Sequence, residues 1–213
     1  MPRAIFFDFD GVIVDSTDIK VQAFRDLYGD QPDHVIDRII AYHKANEGIS
    51  RVVKIRHCHR EFLGVELDDG EHDRLCREYA KIVEGKVVSC PEVTGATAFL
   101  QFFHHQCRMY VVSGTPQEEL RRIIKQRGLD GYFEAVYGSP AEKDIIVNAV
   151  LADKGLAGAD CLFIGDAMTD YRAAAATSVP FIGRIGRGEA DPFPERTRTI
   201  NDLNALAEML LPG

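Results

Sequence analysis

The chain has 213 residues, room for one large or two small domains, and its 46% hydrophobic content is ordinary for a globular protein. A net charge of −8 argues against nucleic acid as a partner, and no apolar run approaches the ~18–20 residues that span a bilayer. Five scattered cysteines (Cys58, Cys76, Cys90, Cys107, Cys161) without a C-x-x-C pair, and a Met1-Pro2-Arg3 start that runs straight into a strand, predict reduced thiols, no signal peptide and a cytoplasmic location.

Residues 4–9 read as the first strand. From 18 to about 84 the apolar positions recur at helical spacing, as in Ile36, Ile39, Ile40 and Val52, Ile55. Breaks at 29–33, 46–50 and 64–70 divide this stretch into about four helices, with Asp33 and Ser50 as expected N-caps. From Val88 onward strands and helices alternate. Helices are expected at 93–106, 116–127, 142–154, 169–177 and 201–210, and strands at 108–113, 135–137, 161–165 and 179–182. This alternation predicts an α/β, doubly wound parallel sheet interrupted by an all-helical insertion.

Two acidic clusters each follow a strand-like run: Asp8-Phe9-Asp10-Gly11 after Ala4-Ile5-Phe6-Phe7, and Gly165-Asp166-Ala167-Met168-Thr169-Asp170 after Cys161-Leu162-Phe163-Ile164. Ligands of parallel sheets bind outside the carboxyl ends of the strands, so four carboxylates are expected to converge there. Such a group repels itself until a hard cation relieves it, and Mg²⁺ takes oxygen ligands of this kind. Ser113-Gly114-Thr115-Pro116 closes another strand-like run, and Lys143 follows the turn at Gly138-Ser139-Pro140.

The ordered set Asp-x-Asp-Gly, Ser after a strand, Lys, then Gly-Asp-x-x-x-Asp resembles the haloacid dehalogenase superfamily of phosphohydrolases. The match runs from Asp8 to Asp170, and the opening Asp8 to Ser16 with its helical insertion looks most like the phosphoglycolate-phosphatase and β-phosphoglucomutase branch. The resemblance implies a Rossmann-like core of residues 1–16 and 89–213 and a helical cap of 17–88. It implies a Mg²⁺-dependent phosphatase acting on a small phosphorylated metabolite through an aspartyl-phosphate; the alternative is a sugar phosphomutase. Asp8 would be the nucleophile and Asp10 the general acid and base. Ser113, Gly114 and Lys143 would bind the phosphate. Asp8, Asp166 and the backbone carbonyl of Asp10 would hold the metal, with Asp170 supporting the site through a water or by orienting Lys143. A lysine in the first turn of a helix opposes the dipole, which favours a functional role for Lys143.

Arg51 and Lys54, after the loop at Gly48, are the candidate specificity residues, with Asn46 a weaker one; a solvated helix face is the competing reading. No nucleic acid or membrane partner is expected, and the protein is read as a monomer or homodimer. His57-Cys58-His59 is read as a helix face rather than a metal site, because adjacent helical residues diverge. Signalling receiver domains also use an aspartyl-phosphate, but they place that aspartate after a later strand, and residues 50–63 here are helical in pattern.

Overall fold

The computed structural model describes residues 1–211. The strands β1 (Ala4–Phe7), β2 (Arg108–Pro116), β3 (Ala135–Ser139), β4 (Cys161–Gly165), β5 (Phe181–Arg184) and β6 (Thr199–Ile200) form one parallel sheet in the order β3-β2-β1-β4-β5-β6. β1 lies between β2 and β4, with Phe7 level with Val111 on one side and Ile164 on the other.

The pleat of β1 explains the two layers. Ile5 and Phe7 face one core, with Phe99, Leu100 and Phe103 of α5 (Ala96–Phe103), Leu120 and Ile123 of α6 (Gln117–Gln126) and Leu203 and Leu206 of α9 (Leu203–Leu210). Ala4 and Phe6 face the other, with Ile146, Val147 and Val150 of α7 (Lys143–Lys154) and Ala173 and Ala174 of α8 (Met168–Ala176). A strand buried on both faces needs the unbroken apolar run that Ala4-Ile5-Phe6-Phe7 supplies.

Between β1 and α5 lie α1 (Thr17–Leu27), α2 (Asp33–Ala45), α3 (Arg51–Cys58), one π-helical turn (His59–Leu63) and α4 (Asp69–Ser89). Their apolar faces meet around Phe24, Ile39, Ile55, Leu75, Tyr79 and Val83, continuous with the first core layer through Phe9, Val12 and Ile13. No described helix is long and apolar enough to cross a membrane.

Several boundaries differ from the sequence expectation, for local reasons. Ser50 does cap α3, accepting from Val52 N, but α2 starts on Asp33 itself, after Pro32. α5 begins only at Ala96, because Val93 N–H donates to the Ile13 carbonyl and the Thr94 carbonyl accepts from Leu203 N–H. β2 continues past Ser113 to Pro116 through an irregularity in its pairing with β3, so α6 starts after the proline. Asp202 caps α9, which shortens the expected terminal helix. β6 has two residues, too short to show any period in the sequence.

Candidate active site

Sheet register brings the first carboxylates together. Phe7 and Ile164 are level, and the Asp8 N–H donates to the Ile164 carbonyl (2.9 Å), so Asp8 and Asp166 leave adjacent strand ends side by side. The chain then turns away at Gly11, whose φ of +76° suits glycine, and a Cβ there would strike the Asp166 carboxylate. Asp8 Oδ1 accepts from the Phe9 N–H (2.7 Å), and Oδ2 lies 3.0 Å from Lys143 Nζ. Lys143 opens α7 and reaches Asp170 Oδ1 on α8 at 2.6 Å. Asp170 is wholly buried, and its Oδ2 accepts from the Ala167 N–H at 3.1 Å. The lysine thus bridges two carboxylates and Asp170 holds it in place.

Electrostatics follow from this geometry. Burial alone would lower the Lys143 ammonium, but Asp170 and Asp8 outweigh it and hold the group firmly charged. Burial, with Asp8 and Asp170 nearby, pushes the Asp166 carboxyl well above its ordinary range. Burial also lifts Asp170 to about 7, against the pull of Lys143. Asp8, Asp166 and Asp170 each offer an oxygen within 4.8 Å of the others. With Lys143 facing Asp8 and Asp170, Asp166 is the member that lacks positive charge. A hard divalent cation fits that deficit and this all-oxygen donor set.

Ser113 lies in β2, just past the last residue paired with β1, and its Oγ accepts from the Thr115 N–H (3.1 Å), which leaves its own proton free to donate. Gly114 sits against the insert: a Cβ there would meet the Gly48 carbonyl. Thr115 does not cap α6; its hydroxyl donates to Asp10 Oδ2 (3.0 Å). Asp10 Oδ1 accepts from the buried Ser16 hydroxyl (2.6 Å), while Oδ2 lies 2.5 Å from Lys20 Nζ. Burial would raise the Asp10 carboxyl, but the Lys20 ammonium and these hydrogen bonds leave it below the ordinary value.

Lys20, on α1, is the site residue that sequence reasoning missed. Its sequence signal is weak: Lys20 is the fourth residue of α1, past the first turn where the dipole acts most strongly.

The insert closes the other side. The Thr169 hydroxyl donates to the Glu47 carbonyl (3.0 Å), Ser50 and Ser139 share a hydrogen bond (2.9 Å), and Arg51 makes a bidentate pair with Glu119 of α6 (2.8 and 2.5 Å). Arg51 and Lys54 both line the cavity between insert and sheet, with Asp8, Asp10, Ser113 and Asp166 on the opposite wall. The cavity has a volume of ≈60 Å³ and is partly open to solvent. Asn46 turns inward on α2 instead, donating to the Tyr42 carbonyl (2.8 Å). His57 stacks on Tyr42, with ring centroids 3.9 Å apart, and Cys58 is buried.

The family model described as haloacid dehalogenase-like hydrolase matches residues 5–184, and the site just described falls within that span. The chain belongs to this family. It is therefore a hydrolase-family enzyme, with the fold expected from the ordered motifs. A 5'-nucleotidase of Pseudomonas aeruginosa is 33% identical over 110 residues, 48% of this chain and 50% of the relative, so that match spans about half of each protein. A phosphoglycolate phosphatase of Pseudomonas fluorescens is 24% identical, covering 100% of this chain and 80% of the relative. Among solved structures, a β-phosphoglucomutase from Clostridium difficile superposes with a TM-score of 0.75 at 17% identity, over 97% of this chain and 93% of that one. That likeness establishes the fold.

Proposed function

We propose that this haloacid dehalogenase-like enzyme is a phosphatase that moves the phosphoryl group of a small phosphorylated metabolite first to Asp8 and then to water. The observation that carries the reading is the Asp8 carboxylate at the end of β1, 3.0 Å from Lys143, with Asp166 and Asp170 converging beside it. Asp8, Asp166 and the backbone carbonyl of Asp10 are the groups that would hold Mg²⁺, which when bound adds positive charge against the transferring phosphoryl oxygens.

In this reading Asp8 Oδ2 attacks phosphorus, an aspartyl–phosphate bond forms and the bond to the leaving oxygen breaks. The Ser113 hydroxyl proton and the Gly114 N–H donate to phosphoryl oxygens. Lys143, kept charged by Asp170, neutralises the group as it reaches Asp8. Asp10 gives the proton to the leaving oxygen and later takes one from the attacking water. Lys20, paired with Asp10, stabilises the carboxylate left once that proton has passed to the leaving oxygen, which suits the water step.

The insert, residues 17–88, acts as the cap over a core of 1–16 and 89–213. In this reading the cap opens to admit substrate and closes over the cavity to exclude bulk solvent. Arg51 and Lys54 face the leaving group from the cap. The name of the Pseudomonas fluorescens relative makes phosphoglycolate the first substrate to try.

The test is hydrolysis of p-nitrophenyl phosphate with Mg²⁺, followed by trapping and mapping the phosphoenzyme. Label on Asp8 and loss of turnover in EDTA are expected. Full activity in metal-free buffer, or label on Asp10 or a serine, overturns the reading.

A further inference from the structure

Three cations line the closed cavity: Lys20, Arg51 and Lys54. Two are already neutralised. Lys20 pairs with Asp10 at 2.5 Å, and Arg51 presents both terminal nitrogens to Glu119. Lys54 is different. The residue is 3% exposed, and Nζ meets only His43: Nδ1 at 3.0 Å and the backbone carbonyl at 3.3 Å. Among the described residues no carboxylate pairs with it within 4.0 Å. Glu47 is the carboxylate whose charge acts on it, and it does so from beyond that distance. A buried ammonium with no carboxylate in direct contact is costly, and an ionised partner at its Nζ is what relieves it. His43 cannot be that partner. Burial, then Lys54 itself, pushes its imidazole down to about 2, so it is a neutral acceptor.

We propose that Lys54 is the receptor for a single carboxylate on the substrate's leaving group, and that Glu119, by engaging Arg51, excludes leaving groups that carry a second phosphate. This inference rests on the phosphatase reading above and names its substrate class: phosphate esters of small hydroxy-carboxylic acids. One cation balances one carboxylate. A second phosphate brings a charge of about −1.5 to −2 into a wall that already holds Glu47 and Glu119, and the cation best shaped for it is occupied.

The receptor is charged only over part of the pH range. The groups facing Lys54 are Lys20 on α1, His43 on α2, Glu47 in the following loop and Cys58 on its own helix. Burial, reinforced by Lys20, lowers its ammonium from 10.5 to about 7. The charge is therefore present below pH 7 and lost as pH rises through it.

The experiment compares kcat/KM for three substrates that differ only at the far end: 2-hydroxyethyl phosphate, phosphoglycolate and ethylene glycol bisphosphate. Their shared phosphate ionisation cancels in the ratios. At pH 6 phosphoglycolate is expected to exceed hydroxyethyl phosphate by roughly 10- to 100-fold, as for one hydrogen bond to a charged group. That ratio is expected to fall about tenfold by pH 8, since kcat/KM follows the free enzyme's ionisation. Lys54→Met is expected to bring the ratio close to one. Glu119→Gln, which frees Arg51, is expected to raise the relative rate on the bisphosphate by about tenfold. A ratio near one in the native enzyme at pH 6, or a ratio that a folded Lys54→Met variant leaves unchanged, overturns the proposal. If Lys54→Met does not fold, product inhibition of the native enzyme decides instead. Glycolate must inhibit about tenfold more strongly at pH 6 than at pH 8, with ethylene glycol showing no such change, or the proposal is wrong. Failure to hydrolyse even p-nitrophenyl phosphate would remove the phosphatase reading and this inference with it.

Discussion

The two walls of the cavity are built on different principles. The sheet wall is a set of strand ends. Asp8, Ser113 and Asp166 leave β1, β2 and β4, and register alone makes them neighbours. The cap wall is a set of helices, where Lys20, Arg51 and Lys54 come from α1 and α3 and are placed by packing and by pairs that cross to the other wall. The sheet wall is suited to fixed chemistry, because hydrogen-bonded strands hold a carboxylate in one geometry. In the proposed reading the cap wall is suited to selection, because its contacts with the sheet wall are the ones that cap motion would break and re-form.

The sharpest way to break this comparison is at the sheet wall. Asp8→Asn is expected to lower kcat by at least roughly 10⁴-fold while leaving thermal unfolding near the native value, since a side chain that acts as nucleophile contributes more to rate than to folding. Residual activity within tenfold of native would move the nucleophile elsewhere. Asp170→Asn comes next. Its carboxylate holds Lys143, so kcat is expected to fall about 10²-fold, as when one charge-stabilising group is disturbed. An unchanged kcat would show that Lys143 needs no second anchor.

The cross-wall pair tests the cap side. Arg51 and Glu119 are both nearly buried, so Arg51→Met leaves an uncompensated carboxylate and is expected to destabilise the protein by about 3 kcal/mol in urea unfolding. Arg51→Met combined with Glu119→Gln is expected to recover much of that loss. Equal losses in the single and double variants would mean that the pair's charge is unimportant. The smallest effect is expected at Ser50, where Ser50→Ala removes the cap of α3 and the contact with Ser139. About 1 kcal/mol of stability is expected to be lost, with little change in kcat.

These differences also explain what could be read from the chain alone. The strand ends were legible because each is an apolar run followed at once by Asp or Ser, and a parallel sheet presents such residues on one edge. Lys143 was legible through its misfit at a helix start, whereas Lys20, past the first turn of α1, was not. The engagement of Arg51 by Glu119 had no sequence signal: the partners lie 68 positions apart, one on the insert and one on the core, and each alone reads as a surface charge on a helix. The same holds for the difference between Arg51 and Lys54, two cations three residues apart on one short helix.

The sequence by itself determined the sheet with its helical insertion, the family and which residues stand at the strand ends, because these follow from local pattern and strand periodicity. Only the tertiary structure decided which charges are already paired. Pairing depends on distances of about 3 Å between elements far apart in the chain, and on burial that removes the water otherwise able to take a partner's place.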